Sequence, residues 1–148
     1  MKIYEYFFEH GHLCLVCELM GEDLRSYVRK HQNTVTLDEI KKYAICMFMS
    51  LYELRKNSII HADIKPDNFL FTNDRSKVKL CDFGTSYKVD EHTSEIEYLV
   101  ARYYRAPEIM LGYDNSPDNR YHIDTWAVAC SLFELYTGEF LFNGSTNN

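Results

Sequence analysis

A short run of chemically active side chains lies between two apolar stretches of this 148-residue chain. Residues 61–68 read HADIKPDN, and the apolar segments SII and FLF flank them. Apolar segments of this kind are expected to be buried, so both ends of the polar loop are expected to be held in the core. Proline, aspartate and asparagine favour ordinary turns, so a structural role is one interpretation of the loop. The other is a reaction centre on a loop that rigid elements hold in place.

Composition limits the setting in which such a loop can act. The chain is 46% hydrophobic, which is enough for the core of one domain. Its net charge of −6, with no dense Lys/Arg cluster, argues against a nucleic-acid surface. No apolar run approaches the ~20 residues of a membrane span, and MKIYEYFFEH lacks the apolar core and cleavage site of a signal peptide. The five scattered cysteines predict reduced thiols in an intracellular protein.

Periodicity predicts strands and a helix in the first third of the chain. KIYEYFF and HLCLVCELM are typical of two strands joined by a His-Gly-His turn, and a short helix is predicted at residues 22–31. Thr36 and Glu39 form a capping-box pattern at the start of a longer helix, which is predicted to end near Asn57. The apolar stripe of this helix is Leu37, Ile40, Ala44, Met47, Leu51 and Leu54.

The rest of the chain predicts two short strands and one apolar helix. FLF and KVKLC are typical of strands, with Asn73 and Asp74 at the turn between them. Residues 84–121 have little periodicity. The last predicted element is a helix through DTWAVACSLFELY, which is apolar on most sides and is therefore expected to be buried.

The polar loop and the CDFG segment contain the side chains that phosphoryl transfer requires. Asp63 can accept a proton from an attacking hydroxyl group, and Lys65 can supply a point charge to a phosphate oxygen. Asn68 offers a carbonyl oxygen to a hard cation such as Mg²⁺, and Asp82 would be a second ligand. Gly84 is expected to let the backbone turn sharply after Asp82. Taken alone, an Asp-x-x-x-x-Asn pair in a loop is more often structural.

The order of three motifs gives these residues a family resemblance. HADIKPDN, then CDFG, then APE at residues 106–108 form the ordered signature of eukaryotic protein kinases. The chain resembles a protein kinase catalytic domain over nearly its full length. VKLCDFG, YLVARYYRAPE and ELYTGEFLF are most similar to the pre-mRNA-processing (splicing) kinases. The homeodomain-interacting and dual-specificity tyrosine-regulated kinases come next.

The resemblance implies a role for each matching residue around ATP. Asp63 matches the catalytic base, Lys65 the lysine at the γ-phosphate, and Asn68 and Asp82 the magnesium ligands. Residues implied to lie at the adenine ring are Glu18 and Met20 through their backbone groups, Cys17 at the gatekeeper position, and Leu70 under the ring. Cys17 and Leu70 also fit ordinary core positions.

Other matching residues are implied to be structural. Asp124 matches the aspartate that anchors the backbone of the catalytic loop. The remaining structural positions are His61, Phe83, Gly84 and Glu108.

The resemblance also points to a regulatory tyrosine. Ala62 replaces the family's common arginine, so control by a phosphothreonine near Thr93 is not expected. Tyr98 precedes Arg102 and Arg105, the arrangement in which relatives pair a phosphotyrosine with guanidinium groups. An ordinary packed tyrosine is the alternative for Tyr98.

The implied fold is α+β and protein-kinase-like, incomplete at both ends. Residues 1–20 match the end of the small lobe and the hinge, and residues 21–148 match the large lobe through its central buried helix. The Gly-rich loop G-x-G-x-x-G, the strand lysine and the helix glutamate of the family are not found among the 148 residues. The family arginine that pairs with Glu108 is expected beyond the last residue. The 148-residue chain alone is therefore expected to be inactive.

The implied function is a serine/threonine protein kinase that uses ATP and Mg²⁺, acts on protein substrates and autophosphorylates at Tyr98. Its activity would require the small-lobe elements named above. The alternative is a non-catalytic kinase remnant that only binds partners, or a gene fragment. No direct nucleic-acid or membrane partner is expected, and a nuclear location rests on resemblance alone. The sequence does not predict the physiological substrate or the oligomeric state.

Overall fold

The computed structural model describes residues 1–31, 35–90, 101–112 and 120–144. Within these ranges the elements, in chain order, are strands β1 (Ile3–Glu9) and β2 (His12–Cys17), helices α1 (Leu24–Lys30) and α2 (Leu37–Lys56), strands β3 (Ile59–Ile60), β4 (Phe69–Phe71), β5 (Val78–Leu80) and β6 (Tyr87–Lys88), and helices α3 (Pro107–Met110) and α4 (His122–Thr137). Single 3₁₀ turns cover Pro66–Asn68 and Arg102–Tyr104. The α+β class expected from the sequence is confirmed.

Strands β1 and β2 form the predicted antiparallel hairpin. Its two-residue turn has φ values of 49° at His10 and 80° at Gly11. Positive φ at both positions suits the right-handed twist of the flanking strands. Apolar side chains of this hairpin stay exposed, among them Tyr6 at 69% and Phe8 at 68%. The hairpin therefore contributes little to the core that the described residues form.

Helix α2 begins where its capping box predicts. The hydroxyl of Thr36 accepts the Glu39 N–H at 3.2 Å, and the Glu39 carboxylate accepts the Thr36 N–H at 2.8 Å. Asn57 caps the other end, as expected. Most of the predicted stripe faces the core, but the inclusion of Leu37 is wrong because its side chain is 54% exposed. Leu37 is the first helical residue, and the buried face of α2 starts one turn later at Ile40.

Two small antiparallel sheets hold the polar loop. Strands β4 and β5 pair with Phe69 opposite Leu80, and β3 pairs with β6 through Ile60 opposite Tyr87. Residues 61–68 leave the second sheet and enter the first. The turn between β4 and β5 is closed by the Asp74 carboxylate, which accepts the Ser76 N–H at 3.1 Å. Both chain ends of the loop are therefore fixed by strands, as the flanking apolar segments predict.

Helix α4 lies against the rest of the core. Its buried residues include Ile123, Ala127 and Val128. The expectation of burial on most sides is wrong for Phe133, which is 38% exposed, and Tyr136, which is 65% exposed, because no described element covers that part of α4. None of the described helices is long and apolar enough to cross a membrane.

Candidate functional site

Asp124 fixes the first residues of the polar loop from beneath. Its side chain is almost completely buried and accepts the His61 N–H at 2.8 Å and the Ala62 N–H at 3.0 Å. Burial raises the pKa of Asp124 to about 6, although the two backbone hydrogen bonds act in the opposite direction. Ala62 has a φ of 62°, a conformation that L-residues rarely adopt. The two hydrogen bonds thus hold a disfavoured backbone in place.

His61 links the loop to the segment after β5. Its ring is fully buried, Nδ1 accepts the Asp63 N–H at 3.3 Å, and Nε2 lies 3.1 Å from the Cys81 carbonyl oxygen. Because Nδ1 is an acceptor, Nε2 carries the proton and donates to Cys81. Burial lowers the pKa of His61, which favours this neutral ring. The Phe83 ring packs edge-on against it, with 5.1 Å between centroids.

Asp63, Lys65 and Asn68 form one hydrogen-bonded cluster. The Oδ2 atom of Asp63 accepts the Lys65 ammonium at 2.7 Å and the Asn68 amide at 2.9 Å. The same amide nitrogen donates to the Asp63 carbonyl oxygen at 2.7 Å. Among the described residues, no donor is bonded to the Asp63 Oδ1 atom. One carboxylate oxygen is therefore held in place while the other is available to a ligand.

Asp82 is placed beside this cluster by the backbone. The Cys81 N–H donates to the Asn68 carbonyl oxygen at 2.9 Å, so the residue after Cys81 lies next to the loop. The carboxylate of Asp82 is exposed and accepts the Gly84 N–H at 3.3 Å. Asn68 and Asp82 thus bring an amide oxygen and a carboxylate to the same end of the β4–β5 sheet.

The chain turns at Gly84, where the Ser86 N–H donates to the Phe83 carbonyl oxygen at 3.1 Å and closes a turn around Gly84 and Thr85. The residue with a left-handed backbone is Asp82, whose φ is 60°, and aspartate is among the residues that tolerate this conformation. A Cβ atom at residue 84 would lie 3.3 Å from the Asp82 Oδ1 atom. The glycine therefore lies in the turn and also leaves space for the Asp82 carboxylate.

The segment after β2 is anchored at both of its ends. The Glu18 N–H donates to the Lys2 carbonyl oxygen at 2.8 Å, and the Gly21 N–H donates to Phe71 at 2.7 Å. The Glu18 carboxylate accepts the Lys79 ammonium at 2.6 Å, and this bond lowers the pKa of Glu18. Among the residues that the structure describes, the Glu18 N–H has a partner, whereas the Glu18 carbonyl is left for a ligand.

The other residues expected at the adenine ring lie near this segment. Cys17 and Met20 are half-buried at its start and middle. Leu70 is also half-buried and pairs with Lys79 across the β4–β5 sheet. Their contact with adenine stays a prediction.

The predicted regulatory residues are only partly described. Tyr98 and Thr93 lie outside the described residues. Arg102 begins the second 3₁₀ turn and Arg105 caps it. Glu108 lies half-buried in the first turn of α3.

Sequence reasoning missed a buried ionic cluster on the far side of the loop. Arg25 of α1 contacts Glu134 of α4 and Asp67 of the loop, and the Tyr104 hydroxyl donates to the Glu134 carboxylate. A glutamate within the apolar run ACSLFELY was the available signal, because glutamate is almost never fully buried without a partner. Nothing in the sequence named Arg25 as that partner.

The chemistry of the assembled side chains is that of a proton acceptor beside an anion site. Asp63 has a free carboxylate oxygen and a lysine ammonium within hydrogen-bonding distance. The oxygens of Asn68 and Asp82 are hard ligands for a divalent cation. Among the described residues no group of three His, Cys, Asp or Glu side chains could hold a metal ion by itself. A cation here would complete its shell with water or phosphate oxygens, as Mg²⁺ commonly does.

Comparison with known proteins agrees with this geometry. A family model described as the protein kinase domain matches residues 1–148. The chain is similar to the serine/threonine-protein kinase prp4 of Schizosaccharomyces pombe, with 47% identity over 98% of this chain and 30% of the relative. It is similar to the serine/threonine-protein kinase prpf4B of Dictyostelium discoideum, with 40% identity over 100% of this chain and 18% of the relative. The chain thus spans less than a third of these curated relatives.

Two further similarities support the same grouping. The dual specificity tyrosine-phosphorylation-regulated kinase 3 of Macaca fascicularis is 39% identical over 95% of this chain and 24% of the relative. The crystal structure of the yeast RNA Pol II CTD kinase CTDK-1 complex contains a chain that superposes with a TM-score of 0.84 at 25% identity. That match covers 98% of this chain and 47% of the solved one.

Proposed function

Because this chain belongs to the protein kinase family, we propose that it forms the catalytic centre of a serine/threonine kinase. The reaction is transfer of the γ-phosphoryl group of ATP to a hydroxyl group of a protein. The family generally uses ATP and Mg²⁺, and two similar relatives are named serine/threonine-protein kinases. The cluster of Asp63, Lys65 and Asn68 is the observation that carries this proposal.

Asp63 is the proposed proton acceptor for the substrate hydroxyl. Its Oδ2 atom is fixed by Lys65 and Asn68, which leaves Oδ1 to bind the serine or threonine hydroxyl. A carboxylate within hydrogen-bonding distance orients the hydroxyl and receives its proton as the new P–O bond forms. The neutral ring of His61 keeps the Asp63 backbone in place without taking part in the proton transfer.

Lys65, Asn68 and Asp82 are the proposed phosphate and magnesium contacts. Lys65 can bridge Asp63 and a phosphate oxygen, since its ammonium carries three donors and one is directed at Asp63. The Asn68 amide nitrogen is held by Asp63, so the amide oxygen is left for a metal ion. When bound, Mg²⁺ would neutralise charge on the phosphates.

The segment after β2 is the proposed adenine contact. Residues 1–20 would then be the end of the small lobe with the hinge, and residues 21–148 the large lobe. The Glu18 N–H is already bonded to Lys2. We therefore assign the adenine hydrogen bonds to the Glu18 carbonyl and the Met20 N–H. Leu70, which pairs with Lys79 next to this segment, would lie beneath the ring.

A chimera provides the test. In it, these 148 residues replace the matching 30% of the S. pombe serine/threonine-protein kinase, and the rest of that kinase is kept. We expect the chimera to phosphorylate a protein substrate with Mg-ATP, and Asp63→Asn to lower the rate by about 10²- to 10⁴-fold, the usual contribution of a general base. Asp38→Asn is the matched control, because Asp38 is an exposed carboxylate that pairs only with Lys41 among the described residues.

A non-catalytic binding role is the second candidate. The observation that favours it is the exposed apolar hairpin, with Tyr6 at 69% and Phe8 at 68%. An inactive chimera that is folded and still binds a partner through the β1–β2 hairpin would establish this role instead. Activity that disappears in Asp63→Asn and persists in Asp38→Asn would exclude it.

Tyrosine autophosphorylation is a finer part of the proposal. It rests on the spacing of Tyr98, Arg102 and Arg105 in the sequence. A phosphate on Tyr98 would add about −1.5 to −2 charge, which guanidinium groups bind through charge-assisted hydrogen bonds. Mass spectrometry of the active chimera should find this modification, and Tyr98→Phe should lower the rate. An active chimera without phosphate on Tyr98 would contradict this part alone.

A further inference from the structure

One guanidinium group neutralises two carboxylates beside the polar loop. The Arg25 Nε atom lies 3.0 Å from Glu134 Oε1, and Nη2 donates to Glu134 Oε2 at 3.2 Å. The same Nη2 atom lies 3.1 Å from the Asp67 Oδ2 atom. The Tyr104 hydroxyl donates to Glu134 and accepts from Arg25. Arg25 is thus the cation that these two carboxylates share.

The burial of the cluster makes Arg25 hard to replace by water. The side chains of Arg25 and Glu134 are only 18% and 8% exposed, whereas that of Asp67 is 39% exposed. Removing one member of a buried ion pair leaves the charge of the other member uncompensated. Carboxylates that lose their arginine would therefore attract another cation. Without Arg25, Asp67 and Glu134 would form a cation site that opens to solvent at Asp67.

This site lies within reach of a bound protein substrate. Asp67 follows Asp63 by four residues, so their Cα atoms are at most about 14 Å apart. The 3₁₀ turn Pro66–Asn68 shortens that path. An extended substrate peptide covers about 14 Å with roughly four residues. When its hydroxyl group binds Asp63, one of the four residues on either side of that serine or threonine can therefore place its side chain near Asp67.

We propose that Arg25 is a specificity-determining residue, an inference that rests on the kinase activity proposed above. Its guanidinium occupies the place that an arginine or lysine side chain of the substrate would otherwise take between Asp67 and Glu134. A basic residue at that position of a substrate consequently does not raise the kcat/KM of the protein for that substrate. Arg25→Met, which keeps a long apolar stem and removes the charge, converts the filled site into a binding site for a substrate cation.

The experiment uses the chimera and a set of peptides. Each peptide has one serine, and a single arginine or alanine is placed at one of the four positions on either side of it. For the unchanged chimera we expect kcat/KM to be the same for arginine and alanine at every position, within about twofold. In Arg25→Met we expect one position to favour arginine by about tenfold, the scale of one charge-assisted hydrogen bond. Adding Asp67→Asn to Arg25→Met should abolish that preference.

Two controls separate this effect from a general change in α1 or in folding. Lys30→Met removes another cation of α1, which pairs with Glu22 at 2.5 Å on the surface, and should leave all ratios unchanged. Arg25→Lys keeps a positive charge and should create no new preference.

The possible results are distinct. An active chimera whose Arg25→Met variant shows no arginine preference contradicts the inference alone. The inference is also contradicted if the chimera that retains Arg25 already favours arginine and loses this preference in Asp67→Asn. This second result does not depend on the folding of Arg25→Met. A folded chimera that phosphorylates no peptide or protein contradicts the proposed function, and this inference with it.

Discussion

The buried Asp124 should make stability depend on pH in an unusual direction. Its pKa is raised from 3.8 to about 6 by burial, against two backbone hydrogen bonds. A carboxyl group with a raised pKa in the folded state binds more protons there than in the unfolded chain. Its contribution to stability is therefore complete below pH 3.8 and is lost as the pH rises through 6. Between pH 4 and pH 7 this loss is about 2 to 3 kcal/mol, at 1.36 kcal/mol per pKa unit.

Asp124→Asn removes this titration and also changes the hydrogen bonds. Asparagine has one acceptor oxygen and one NH₂ group, which only donates. Either the His61 N–H or the Ala62 N–H would therefore face the NH₂ group and lose its acceptor. One unsatisfied buried donor costs about 1–3 kcal/mol. The variant should therefore be clearly less stable than the wild type at pH 4 and close to it at pH 7.

Urea unfolding of both chimeras from pH 4 to pH 7.5 measures this difference. Carboxylates with lowered pKa values change the free energy of unfolding of both proteins equally. The difference between the two free energies at each pH therefore reports the titration of Asp124 alone. Asp74→Asn is a control whose difference from the wild type should stay nearly constant from pH 4 to pH 7.5, because hydrogen bonds from Thr72 and Ser76 lower the pKa of Asp74 to about 2. Its contribution is present above pH 3.8 and is lost as the pH falls through 2. Stability curves of wild type and Asp124→Asn that stay parallel across this range would refute the reasoning.

Three further outcomes are expected. The 148-residue chain alone should not phosphorylate myelin basic protein with Mg-ATP, since it lacks a phosphate-covering loop; phosphate incorporation that Asp63→Asn abolishes would overturn this. Gly84→Ala in the chimera should raise the Mg²⁺ concentration for half-maximal activity, because the new methyl group lies 3.3 Å from the Asp82 carboxylate; an unchanged Mg²⁺ titration would contradict it. Met47→Ala should lower the free energy of unfolding by about 2–5 kcal/mol, because the Met47 side chain is 0% exposed. Leu37→Ala should lower it by well under half of that amount, because the Leu37 side chain is 54% exposed. Equal losses for the two variants in urea unfolding would argue against the described core.

Local patterns predicted local structure well and failed where distant residues decide. The capping box at Thr36 depends on residues three positions apart, and the helix begins there. The chain turns at Gly84, but the sequence did not indicate the left-handed backbone of Asp82, which depends on what surrounds its carboxylate. Arg25 meets Glu134 across 109 positions of sequence. No periodicity within α1 could have named that partner, although a glutamate in an apolar helix required one.

The precision of the candidate site comes from buried residues outside it. Ala62 and Asp82 both adopt left-handed backbones, which cost free energy unless surrounding contacts hold them. Asp124 holds the first of these through two N–H groups, and the ring of His61 joins the loop to Cys81, the residue before the second. Asp63 and Asp82 are thereby set on neighbouring segments. Substitutions at Asp124 or His61 should consequently disturb both carboxylates together, although neither side chain is proposed to contact ATP or the substrate.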